Sequence, residues 1–236
     1  MGLCAWELYV MSGQQHRTVW LGGVWLVMGL LSLGAMFSPA HTWVQAPVWQ
    51  ALVLLALMVF MVEIAKKRFL VPIHLLGLAL RSVLLFGVFG AYIILLRNMS
   101  MGLAWVSWLV LMVWASDIAA YFVGSTFGKT PLAPAISPKK TREGALGAIV
   151  ACVLVTALMN TLVLHVKTWP ILLFAVVASV IAQLGDLHES LTKRKFGVKD
   201  SGTIFPGHGG VYDRIDSFLF LTPVLYYFVI FLTQHG

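Results

Sequence analysis

Long apolar runs with almost no charge recur from one end of this chain to the other. That one feature removes most folds from consideration. A helix needs about 20 apolar residues to cross the hydrocarbon core of a bilayer. Seven stretches meet that length, roughly 19–37, 48–65, 70–96, 101–124, 144–166, 170–187 and 215–233. Only 11% of the 236 residues are charged, against about 25% in soluble domains. The sequence therefore predicts an all-α, polytopic membrane bundle of seven spans with a polar site on its cytoplasmic face. The third span is long and is expected to tilt or break between Pro72 and Gly77. Met1 to Val10 reads as a further partial element, and no cleavable signal peptide is expected.

The net charge of +7 belongs to the loops. With the segment before the first span in the cytoplasm, the cytoplasmic loops carry Arg17, the Lys66–Arg68 cluster, Lys129, Lys139, Lys140, Arg142, Lys193, Arg194, Lys195, Lys199 and Arg214. Only Arg97 and Lys167 fall on the opposite side, and Arg81 lies inside a span. Positive charge gathers on the cytoplasmic side of membrane proteins, so the bias supports both the layout and the orientation. The C-terminus is then expected outside. Membrane lipids are the expected surroundings, and nothing resembles a nucleic-acid module. Cys4 and Cys152 lie far apart and give neither metal spacing nor a disulfide framework.

Two cytoplasmic loops exceed what a connector needs, from about Ser125 to Glu143 and from about His188 to Arg214. Seven of the nine acidic residues lie between Asp117 and Asp216. A carboxylate at mid-membrane depth costs about 2.5–3.5 kcal/mol, less toward the interface, so a cation, a basic partner or water must offset it. Helical spacing puts Asp117, Ala120, Tyr121 and Gly124 on one small, polar face. The bland reading makes Asp117 a structural acid paired with Arg81 or Arg97. Asp186 and Glu189 are three apart at the end of the sixth span, as are Asp213 and Asp216 at the start of the last. Two such pairs from two helix ends supply the oxygen ligands that Mg²⁺ takes beside phosphate. Salt bridges to Lys193, Arg194 and Arg214 are the alternative.

Between the pairs, four glycines fall within residues 202–210, beside Lys199, Asp200 and His208. Glycines let backbone amides approach an anion closely. In the other loop, Lys139 and Lys140 precede Thr141, which is placed to cap the next helix. Cations at a helix N-terminus attract phosphate. Carboxylates, cations and glycines on one face predict phosphate chemistry with a divalent metal.

The run SLTKRKFGVKDSGTIFPGHGGVYDRIDS over residues 190–217 resembles the signature of phosphatidate cytidylyltransferases, the CDP-diacylglycerol synthases. Gly185 to Ser190, Asp117 to Gly124 and Ser137 to Gly144 extend the resemblance. Thr192 stands where the signature prefers an apolar residue. The resemblance implies CTP and phosphatidate as substrates, CDP-diacylglycerol and pyrophosphate as products, and a Mg²⁺ requirement with room for a second metal ion. It also implies an all-helical fold, often a homodimer, in a bacterial inner membrane. By position, Asp186, Asp213 and Asp216 would be the metal ligands and catalytic acids, joined in catalysis by Lys199 and His208. Asp117, Tyr121, Lys139, Lys140, Thr141, Glu189, Lys193, Arg194, Asp200, Gly209, Gly210 and Arg214 would form the substrate site. Members of this family carry more chain before a motif like Ala5-Trp6-Glu7. Residues 1–100 are thus expected to be a short N-terminal part of one membrane domain and 101–236 its catalytic core. A CTP-dependent lipid-alcohol kinase, an ion or phosphate transporter and a silent scaffold are the competing readings.

Overall fold

The computed structural model of the chain describes residues 1–13, 18–37, 64–66, 75–204 and 209–235. Its elements follow the apolar runs. Helix α1 is Gly2–Met11 and α2 is Thr18–Phe37. Helix α3 comprises Leu75–Ser82, a π-helical Val83–Phe89 and Gly90–Arg97. Helix α4 is Gly102–Phe127. Strands β1, Pro131–Ala133, and β2, Ser137–Thr141, form a hairpin. Helix α5 runs over Arg142–Met159 and a π-helical Asn160–Leu164. Helix α6 is Thr168–Lys195 and α7 is Tyr212–His235.

Among the described residues, five helices are long and apolar enough to cross a membrane: Gly77–Arg97, Gly102–Phe127, Arg142–Leu164, Thr168–Lys195 and Tyr212–Gln234. The expected first span coincides with α2. The expected second span, 48–65, lies almost wholly outside the described residues, as do Pro72 to His74 of the expected break.

The helices pack through one aromatic-rich core. Trp105, Trp108, Phe86, Phe89 and Tyr226 are fully buried in it. Phe174 of α6 stacks on Phe228 of α7 with centroids 3.9 Å apart. Polar groups inside find each other: Trp108 Nε1 donates to Thr156 Oγ1 at 2.9 Å, and the Tyr92 and Tyr227 hydroxyls are 2.8 Å apart. The outer surface is apolar too. On α5, Leu146, Val150, Leu154, Leu158 and Leu162 recur every fourth residue and each is more than half exposed. In water such a stripe would be a liability. Against lipid tails it is the face the bundle needs.

Two boundaries move from the sequence expectation. Helix α6 continues past the apolar run to Lys195, so His188 to Lys195 is helix and not loop. Charged residues sustain a helix once it leaves the hydrocarbon, and Lys193, Arg194 and Lys195 in the last turn complement its dipole. The loop after α4 is an antiparallel hairpin, pairing Pro131 with Thr141 and Ala133 with Ser137. The α4 C-terminus, the α5 N-terminus, the α6 C-terminus and the α7 N-terminus all meet at one end of the bundle, where the polar residues gather.

Candidate active site

The hairpin is fixed at both ends. Glu143 accepts the Lys129 and Thr130 amides, each at 3.2 Å, closing its base. Buried Ile136 in its turn packs on Leu187 and Leu191 of α6, and Arg194 Nε donates to the Ile136 carbonyl at 3.4 Å. Thr141 caps α5 as expected, its hydroxyl accepting from the Gly144 amide at 3.1 Å. Helices α4 and α5 cross closely here. A Cβ on Gly144 would lie 2.7 Å from the Ala120 carbonyl oxygen. The small face of α4 read from the sequence thus sits inside a helix crossing.

That crossing and the hairpin enclose a cavity of about 330 Å³. Asp117 and Tyr121 line it from α4, Lys139, Lys140 and Thr141 from the hairpin, and Gln183 and Asp186 from α6. Lys140 is ion-paired with Asp186. Asp117 therefore looks onto Lys140, while Arg97 stands at the far end of the bundle.

The acids converge behind this cavity. Oxygens of Asp186, Glu189 and Asp216 all lie within 4.8 Å of one another. Glu189 is buried, and Lys193 Nζ pairs with its Oε1 at 2.8 Å, one helical turn on. Lys193 also reaches Asp213 Oδ1 at 2.8 Å, tying α6 to α7. Salt bridging and convergence of the acids therefore coexist. Asp186, Glu189, Asp213 and Asp216 carry four formal negative charges, and Lys140 and Lys193 return two. The excess of two, with Asp117 adding to it across the cavity, has the charge of one divalent cation. Mg²⁺ takes oxygens at about 2.0–2.1 Å, which puts ligand pairs roughly 3–4 Å apart. Asp186, Glu189 and Asp216 fit that donor set after a modest closing of their side chains.

Asp213 is engaged elsewhere. Its Oδ2 accepts from the Gly210 amide at 2.7 Å, the Ser201 amide at 2.9 Å and the Ser201 hydroxyl at 3.0 Å. Lys193 takes its other oxygen, and a side-chain hydrogen bond joins it to Glu189. The resemblance put Asp213 among the ligands; here the three carboxylates that meet are Asp186, Glu189 and Asp216, with Asp213 hydrogen-bonded to Glu189 at their edge. The glycine strip also differs from its sequence reading. The amides of Ser201, Gly210, Val211 and Tyr212 donate to protein carboxylates, Asp213 and Glu7, rather than standing open to a phosphate. The two glycines are pressed against them. Gly209 has φ +81°, and a Cβ there would clash with Asp213 Oδ2. Lys199, Asp200, Arg194 and Arg214 are exposed around the rim. His208 lies outside the described residues.

Glu7 is the residue whose role the sequence reading missed. It is 3% exposed, and its carboxylate accepts from Val211 N, Tyr212 N and Ser201 Oγ. A lone acid in an apolar helix was the available signal.

Residues 1–232 match the cytidylyltransferase family. Several similar proteins are named phosphatidate cytidylyltransferase. That of Staphylococcus epidermidis is 39% identical over 206 residues, covering 84% of this chain and 78% of the relative. That of Staphylococcus aureus is 37% identical over the same coverage. That of Bacillus subtilis is 48% identical over 138 residues, 58% of this chain and 51% of the relative.

Proposed function

This chain belongs to the cytidylyltransferase family, and from that premise we propose that it transfers CMP from CTP to phosphatidate, giving CDP-diacylglycerol and pyrophosphate. The observation that carries the chemistry is the meeting of Asp186, Glu189 and Asp216 beside a lysine-lined cavity at one end of a lipid-facing helical bundle.

An oxygen of the lipid phosphate attacks the α-phosphorus of CTP. The bond from that phosphorus to the bridging oxygen of the β-phosphate breaks, and pyrophosphate leaves with the electron pair. The nucleophile is already an anion, so no serine or histidine need activate it. The protein must bring two polyanions together and neutralise the charge on the leaving group. Lys139 and Lys140 hold phosphate oxygens in the cavity. Lys140 shifts from Asp186 to the nucleotide as it binds. Asp186, Glu189 and Asp216 would hold Mg²⁺, which would supply Lewis-acid neutralisation of the triphosphate when bound. Asp213 and Lys193 keep α6 and α7 at the separation that this set requires. Lys199, Arg194 and Arg214 at the rim draw CTP and the anionic lipid headgroup inward. Tyr121, 71% exposed at the edge of the cavity, packs beside the lipid.

The basic-residue distribution supports a site facing the cytoplasm, where CTP is made, in the inner membrane of a bacterium. The experiment is one assay of the purified protein in phosphatidate vesicles with Mg²⁺ and CTP labelled at either the α or the γ phosphorus. Label entering lipid from the α position, and ceasing on chelation, is the expected result. Entry of the γ label instead would make the protein a lipid kinase.

A further inference from the structure

We infer that Glu7 is a positioning residue for the acid cluster, holding the first turn of α7 through its contacts with Ser201, Val211 and Tyr212. The inference rests on the transferase reading above for its activity readout.

The first amides of any helix lack intrahelical acceptors. In α7 those of Val211 and Tyr212 are taken by the two oxygens of Glu7, at 2.8 Å each. The cap thus comes from α1, not from the strip itself. Glu7 also receives the Ser201 hydroxyl at 3.1 Å. That hydroxyl stands 3.0 Å from Asp213 Oδ2, and with one proton it serves one carboxylate at a time. Glu7 and Asp213 therefore grip the strip from two sides. The fit leaves no slack: a Cβ on Gly210 would lie 2.5 Å from Glu7 Oε1, and one on Gly202 2.9 Å from it. Around Glu7, Cys4, Ala5, Leu8 and Tyr9 are buried, so α1 is anchored in the bundle.

The grip bears on chemistry because the acid cluster begins one turn beyond it. Asp213 is the second residue of α7, and Asp216 lies one turn further along. A rotation of that turn moves Asp216 away from Asp186 and Glu189. Glu7 touches neither substrate nor the acids that meet. It acts through the backbone, as outer groups act on metal ligands, where substitution costs about 10–100-fold in affinity or activity.

The test is Glu7→Gln, which keeps the shape but turns an amide NH₂ toward a backbone N–H. Hydrogen exchange of the 198–204 and 209–212 amides is expected to accelerate about tenfold or more, with helix α5 unchanged. The Mg²⁺ concentration for half-maximal CMP transfer is expected to rise about tenfold, and Glu7→Asp is expected to recover part of both effects. If Glu7→Gln does not fold in detergent, Glu7→Asp carries the same two measurements against wild type. Strip exchange and Mg²⁺ midpoint both at wild-type values would overturn the inference. A wild-type protein that forms no CDP-diacylglycerol sinks the transferase reading instead, and the exchange data alone then decide the role of Glu7.

Discussion

The glycine strip before α7 and the hairpin before α5 both meet the acid cluster, and they meet it in opposite ways. In the strip, donors and acceptors pair off within the protein: four amides and a hydroxyl satisfy two carboxylates, and Lys193 closes the set. The hairpin instead leaves its cations bordering a cavity of about 330 Å³, with Lys140 reaching only as far as Asp186. One side is prearranged and the other is held ready to exchange partners. This division suits a phosphate transfer. On the proposed mechanism, the backbone that carries the metal-holding acids keeps its place, because misplacement costs rate. Those that receive a polyanion must give up their resting partners.

Substitutions that break this contrast have graded consequences. Asp186→Asn and Asp216→Asn are expected to reduce CMP transfer about 10³-fold while leaving the unfolding temperature near wild type. Asp213→Asn separates the two kinds of acid. It is expected to lower both rate and unfolding temperature, and an inactive protein of wild-type stability would move Asp213 into the metal set. Lys193→Met leaves Glu189 and Asp213 without their shared cation. The expected cost is about 3–5 kcal/mol, read by thermal unfolding in detergent. Gly210→Ala drives a methyl into Glu7 Oε1 and is expected to cost about 1–3 kcal/mol by the same measurement. On the hairpin, Lys140→Ala is expected to raise the KM for CTP about tenfold, or about 1.4 kcal/mol, with stability unchanged. A large loss of stability there would erase the contrast.

The spans were readable because hydrocarbon imposes length and apolarity together, and α2, α4, α5, α6 and α7 follow the runs that predicted them. The hairpin was not. Pro131 to Thr141 has no alternating apolar pattern, since what docks it is the single buried Ile136 on α6. The extension of α6 through Lys195 was hidden because the helix leaves the apolar run before it ends. The cluster was half legible. Spacing of three brought Asp186 with Glu189 and Asp213 with Asp216, but periodicity does not say which member of a pair turns inward. At the start of α7, unsatisfied amides capture the nearer acid, Asp213, and leave Asp216 to face α6. Glu7 stood out only as a lone acid in an apolar helix, and its partners could not be read because they are some two hundred positions away.

That separation has a temporal consequence. Glu7 and Ser201 are 194 residues apart. A ribosome adding about 5–20 residues per second needs roughly 10–40 s to cover the interval. Through that time the Glu7 carboxylate is made but its partners Ser201, Val211 and Tyr212 are not. On the role inferred for Glu7, the acid cluster gains its full support only once α7 has packed against α1.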